Sequence, residues 1–240
     1  MNAFVEQIRG MPIIVDVRDE HVRAEDLDRA FAWLRWVDVT FSTFRPDSEI
    51  CRIDRGELSL SEAHDDVRWI LTRCEALRQE TGGYFDARAS GRLDPSGLVK
   101  GWSVDRAAEL LRDAGLRNFA VSAGGDMRTV GTAWRVGVQH PHRRQSVAAV
   151  LQVDDAAAVA TSGAYARGDH VIDPHTGNPP DDLLSVTVVG PELATADAYA
   201  TAAFAMGHAG PEWTARLSGY EAMTILADET VLSTGGFPDV

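Results

Sequence analysis

Apolar positions in the first half of the chain recur at helical spacing. Between residues 25 and 44 they fall at Leu27, Phe31, Leu34, Val37 and Phe41, one stripe along a helix. A second helix is expected over 62–80, with Ser61 as its N-cap and Gly82-Gly83 as its stop. A third is expected over 99–114, ending at Gly115. The stretch 81–97 is rich in glycine and turn residues and reads as a loop. Ahead of the helices, Ile13, Val15 and Val17 alternate with opposite-face positions, as in a strand over 11–17. From Phe119 the period changes to two. Short runs FAVSA, MRTVG, WRVGVQH, VAAVLQV, AAVATS and DHVID are separated by turn residues, and a further strand follows at 184–189. A fourth helix over 195–206, a short one at 213–217 and a hairpin over 221–232 close the pattern. Helices gather early and strands late, which predicts an α+β fold rather than alternating βαβ units. With no repeat or linker in view, one domain over 1–240 is the expectation.

Composition narrows the function classes. The net charge is −13, so the chain as a whole repels a phosphate backbone, and no nucleic-acid partner is expected. A small phosphorylated ligand stays open, because a metal ion or a helix N-terminus reverses the field locally. No apolar run approaches the roughly 18 residues that span a bilayer, so no membrane insertion is expected. Without a secretory pattern at the start, the expected compartment is the cytoplasm. The two cysteines, Cys51 and Cys74, form no CxxC or Cys/His cluster; Cys74 falls on a helical face and is expected to be a buried thiol.

Four segments carry candidate chemistry, and each has a plainer reading beside it. In LDPSGLVKGWSVD a glycine-containing turn enters a helix with Lys100 in its first turns; such a start binds anions, or is simply a capped helix with a solvated lysine. In AGGDM, Gly124 and Gly125 allow close approach of a ligand, or form a hairpin turn. In the segment 161–180, His170 stands beside a glycine-rich loop, as a general base or as a structural histidine, and Asp173 before Pro174 reads as a turn residue. In TADAYAT, Asp197 and Thr201 are four residues apart and share a helix face. A carboxylate and a hydroxyl suit Mg²⁺, which takes few protein oxygens and completes its shell with phosphate and water; alternatively Asp197 is an ordinary first-turn residue.

In order and wording these blocks resemble the ApbE family of FAD:protein FMN transferases. The resemblance is carried by FSTFRPDSEICRID, ETGGYFDA, LDPSGLVKGWSVDRAAELL, AGGDM, ATSG, HVIDPHTG and ADAYATA. It implies a single compact, T-fold-like unit with antiparallel-rich sheets packed by helices. It also implies transfer of FMN from FAD to a threonine or serine hydroxyl of an acceptor flavoprotein, with release of AMP. Carried over by position, Asp197 and Thr201 match the family's Mg²⁺-binding side chains, and Gly97 matches a residue whose backbone carbonyl completes that site. Met11, Phe44, Phe85, Asp86, Ala87, Asp94, Lys100, Gly124, Gly125, Thr161, Ser162 and Ile172 match flavin-site positions, and His170 matches the histidine best placed to activate the acceptor hydroxyl. This chain has Phe44 where the family often has tyrosine, Ala164 where an acidic residue is common, and Ala200 where some relatives have another oxygen ligand. The last departure sets the expectation at one metal ion. Ala164 and Ala200 keep open an FAD-binding protein or an FAD pyrophosphatase that makes no protein adduct.

Overall fold

The computed structural model describes residues 2–8, 10–143, 145–154, 156–163 and 171–240. Among them are strands β1 (Asn2–Ile8), β2 (Met11–Val17), β3 (Phe119–Ala123), β4 (Asp126–Val130), β5 (Trp134–Gln139), β6 (Val147–Val153), β7 (Ala158–Gly163), β8 (Leu183–Gly190), β9 (Glu221–Leu226) and β10 (Val231–Ser233). The helices are α1 (Ala24–Phe41), α2 (Glu49–Asp54), α3 (Asp65–Glu80), α4 (Ser96–Asp113), α5 (Leu193–Ala205) and α6 (Gly210–Thr214). Eight strands form one antiparallel sheet in the order β1-β2-β3-β4-β7-β8-β9-β10, and β5 pairs with β6 in a separate ribbon.

The period-two pattern sorts side chains to the two faces of the large sheet. Val15, Phe119, Val121, Ala158, Ala160, Val186, Val188 and Ala222 point to the helices, where Ala107, Leu111, Ala196, Ala200 and Ala203 meet them. Ala120, Val159, Val189, Met223 and Ile225 point the other way and are covered by Trp134, Val136, Val138, Leu151 and Val153 of the ribbon. The result is the α+β unit that the sequence pattern implies, and its three layers are helices over sheet over ribbon. No helix among the described residues is long and apolar enough to cross a membrane.

Several boundaries differ from the pattern, each for a local reason. Helix α1 stops at Phe41 because Ser42 turns extended, with its hydroxyl accepting the Phe44 and Arg45 N–H groups. The expected helix over 62–80 begins only at Asp65; His64 is its N-cap, and Ser59, not Ser61, makes a capping box with Glu62 over a short 3₁₀ turn. Helix α2, capped by Ser48, has too few residues to display a period, and edge strand β1 leaves Val5 exposed, so neither stands out in the sequence. Helix α4 starts earlier than 99, at Ser96, whose N–H is taken by the Asp94 carboxylate. Of the expected strand DHVID, the described part, 171–173, is not a strand.

Helices α4 and α5 set the geometry of everything that follows. Asp105 of α4 accepts the backbone N–H groups of Leu193 at 3.1 Å and Ala194 at 2.8 Å, so one helix caps the other. Burial pushes the Asp105 carboxyl up to about 6, against the pull of those amides and Arg128. The helices approach so closely because Gly101 has no side chain. A Cβ there would sit 2.7 Å from the Ala194 nitrogen, and backbone does not yield. At Gly97 an added Cβ would meet instead the edge of the Phe85 ring at 3.2 Å, which has some freedom to move.

Gly101→Ala is therefore expected to lower stability by about 1–3 kcal/mol through overpacking, despite the better helix propensity of alanine. Gly97→Ala is expected to cost less. Urea midpoints of the two variants check the order, and an unchanged midpoint for Gly101→Ala contradicts this account of the helix crossing.

Candidate active site

A cavity of about 760 Å³ opens where the first turn of α4, the middle of α5, the β3–β4 turn and the end of β7 converge. All the sequence-derived site positions among the described residues lie on its wall. Met11, Phe44, Phe85, Asp86, Ala87 and Asp94 do so, with Gly97, Lys100, Gly124 and Gly125; so do Thr161, Ser162, Ile172, Asp197 and Thr201. His170, the candidate base, lies outside the described residues. The ribbon contributes Val136, Gly137, Val138 and Gln139, which the sequence reading did not connect with the site.

Each block reaches the cavity by its own local device. The Thr81 hydroxyl donates to the Leu77 carbonyl and accepts the Phe85 N–H, which turns the chain after α3 and seats Phe85 in the floor, 4% exposed. The Asp94 N–H donates to the Ala87 carbonyl at 2.7 Å and closes the loop between them. His175 hydrogen-bonds the Gly82 carbonyl at 3.1 Å and packs on Tyr84, so the PHTG turn lies against the TGG turn. Gly124 and Gly125, at φ +58° and +99°, form the two-residue turn between β3 and β4. That segment is thus a hairpin turn and a cavity wall at once. Phe44 stands on the rim, 94% exposed.

The charged centre is compact. Asp197 is 2% exposed on a helix that is otherwise almost wholly apolar, which excludes an ordinary solvated first-turn aspartate. Lys100 Nζ lies 3.2 Å from Asp197 Oδ1 and 2.5 Å from Asp126 Oδ2. Asp126, fully buried, also accepts the Thr161 N–H at 3.0 Å. Thr201 Oγ1 is 3.2 Å from Ser162 Oγ. The amide of Ser96 is held by Asp94, and those of Leu98 and Val99 by the Pro95 carbonyl, so these N–H groups at the start of α4 are already bonded within the chain. Asp126 is the residue that sequence reasoning missed. It stood in the AGGDM block, but after two glycines an aspartate reads as turn chemistry.

A family model for the ApbE family matches residues 10–91 and 87–224. The chain belongs to the ApbE family. An FAD:protein FMN transferase of Vibrio cholerae is 37% identical over 130 residues, 48% of this chain and 39% of that protein. One from Treponema pallidum is 33% identical over 177 residues, 64% of this chain and 49% of that protein. The chain thus spans less than half the length of these curated relatives. In fold, the flavin transferase ApbE from Vibrio cholerae matches with a TM-score of 0.86 at 22% identity, covering 100% of this chain and 99% of that one. The ApbE protein of Thermotoga maritima matches with a TM-score of 0.86 at 21% identity, covering 98% and 97%.

The cavity also offers oxygens that fit a hard cation. Asp197 Oδ2 is buried with no hydrogen-bond partner among the described residues, an expensive arrangement unless something positive completes it. Thr201 lies one turn along the same helix, and Gly97 packs close enough that a Cβ on it would be 3.7 Å from Thr201 Oγ1. A carboxylate and a hydroxyl on one helix face suit a cation that keeps waters and ligand phosphate in its shell.

The cost of this centre is measurable. Burial pushes the Asp197 carboxyl well above its ordinary range; Lys100 pulls it back and Asp126 pushes it further up. The native state therefore binds more protons here than the unfolded chain. The stability tied to Asp197 is present in full below the ordinary carboxylate range and is lost as pH rises through the raised folded value. Without metal, urea midpoints of the native chain and of Asp197→Asn should separate between about pH 4 and about pH 8, with the asparagine variant the more stable at the alkaline end. Parallel curves would contradict the assignment.

Proposed function

We propose that this chain transfers FMN from FAD to a threonine or serine hydroxyl of an acceptor flavoprotein, releasing AMP, with Mg²⁺ at the site. The observation that carries the proposal is the meeting of Lys100, Asp197 and Thr201 in one cavity lined by the flavin-site blocks. The names of the curated relatives point the same way. We take the catalytic unit to be the whole of 1–240, acting in the cytoplasm. The two cysteines are consistent with that compartment, both buried and unbonded, with burial pushing the Cys74 thiol up to about 12.

In the proposed reaction the acceptor hydroxyl oxygen bonds to the FMN-side phosphorus of FAD. Its proton passes to His170, and the bond from that phosphorus to the bridging oxygen breaks, so AMP leaves with that oxygen. Such a transfer asks the protein for positioning and charge neutralisation more than for covalent help. Lys100 supplies a fixed positive charge for the diphosphate. Asp197, Thr201 and the Gly97 carbonyl would hold Mg²⁺, which when bound adds electrophilic assistance and stabilises the leaving phosphate. Phe44 offers a ring face for stacking at the rim, and Phe85 with Ala87 an apolar wall. The ribbon strand β5 screens the cavity from the side opposite the helices.

AMP release from FAD, followed with and without an acceptor domain, tests the proposal. Acceptor-dependent release is expected. Acceptor-independent turnover would favour an FAD pyrophosphatase, and FAD binding without turnover a flavin carrier. Asp197→Ala is expected to lower turnover by at least about 100-fold, a scale typical of removing one electrostatic element of a transition-state site. His170→Ala should slow transfer by about 100-fold or more while FAD affinity changes little, as for a general base. Equal loss of FAD binding in both variants would mean that these residues serve the fold rather than the chemistry.

A further inference from the structure

Asp126 has no role in the proposed transfer, yet it is fully buried beside the reacting centre. Its two oxygens do different things. Oδ1 takes the Thr161 N–H at 3.0 Å, which ties the β3–β4 turn to β7, while Oδ2 lies 2.5 Å from Lys100 Nζ. The same ammonium is 3.2 Å from Asp197 Oδ1, so Lys100 is shared between two buried carboxylates and sits nearer to Asp126.

Charge counting gives the arrangement a purpose. Among the described residues, one ammonium against two ionised carboxylates leaves one net negative charge, which repels a diphosphate. A divalent cation on Asp197 turns that into one net positive charge, provided Lys100 stays. An ammonium held by Asp197 alone would compete with the cation for its main ligand. An ammonium with a second carboxylate can release Asp197 without being left unpaired in a buried site, which would be costly.

We propose that Asp126 is a positioning residue for Lys100: it shares the ammonium with Asp197 in the metal-free protein, then retains it when a divalent cation takes Asp197. The cation and the lysine thereby act together on the diphosphate instead of displacing one another. This rests on the cation site at Asp197 given under the proposed function.

Calorimetric titration of Mg²⁺ into the flavin-free full chain tests it. Lys100→Met removes the competitor and should tighten Mg²⁺ binding by about tenfold; Asp126→Asn removes the carboxylate that draws the ammonium away from Asp197 and should weaken it by about tenfold, opposite signs from the two partners of one ion pair. Asparagine still offers an oxygen to the Thr161 N–H, so the fold contact is kept, and Asp126→Glu should recover part of the loss. A merely structural role would weaken binding in both variants. Shifts in the same direction, or no shift, would overturn the role of Asp126 while leaving the cation site standing. Equal Mg²⁺ binding by the native chain and Asp197→Ala would overturn the cation site itself, and this inference with it.

Discussion

The structure turns on one shared ammonium. Lys100 lies between two carboxylates, Asp126 and Asp197, that the fold buries almost completely. Two ionised aspartates could not be held so deep without a counter-charge, because the desolvation cost of an unpaired buried ion exceeds what packing returns. Even with Lys100 present, the Asp197 carboxyl is raised by its burial and one of its oxygens lacks a hydrogen-bond partner among the described residues. The cation proposed for this site would complete that unpartnered oxygen.

The rest of the architecture serves to hold those three side chains in register. Gly101 lets α4 and α5 approach until backbone meets backbone, and Asp105 fixes the start of α5 by capping it. With that crossing set, Lys100 faces Asp197, and Gly97 faces Thr201 one turn away. The antiparallel sheet supplies the third member: the tight Gly124-Gly125 turn places Asp126 at the head of β4, where the Thr161 amide of β7 grips it. The ribbon then covers the opposite face of the sheet and lends β5 to the cavity wall.

How much of this was legible in the sequence depended on the range of the forces involved. The period of two named the central strands closely, and the long amphipathic stripe named α1, because burial of one face imposes those spacings. Short or edge elements escaped: α2 has six residues, β1 lies at the sheet margin, and His64 rather than Ser61 caps α3. The gathering of Asp197, Thr201, Lys100 and the glycine turns was readable only as an ordered series of blocks, since each block alone had a plainer explanation. The burial of Asp126 was not readable at all. An aspartate after two glycines advertises a turn, and only the pairing of β4 with β7, a long-range event, carries it inside.

The proposed transfer joins FMN to a protein hydroxyl in this cavity. The most direct measurement is the intact mass of an acceptor flavoprotein domain co-expressed with this chain. A gain equal to one FMN less one water is expected, absent when Asp197 is alanine and located by peptide mapping on a threonine or serine. An acceptor of unchanged mass, recovered beside a chain that demonstrably holds FAD and Mg²⁺ and releases AMP without it, would contradict the claim.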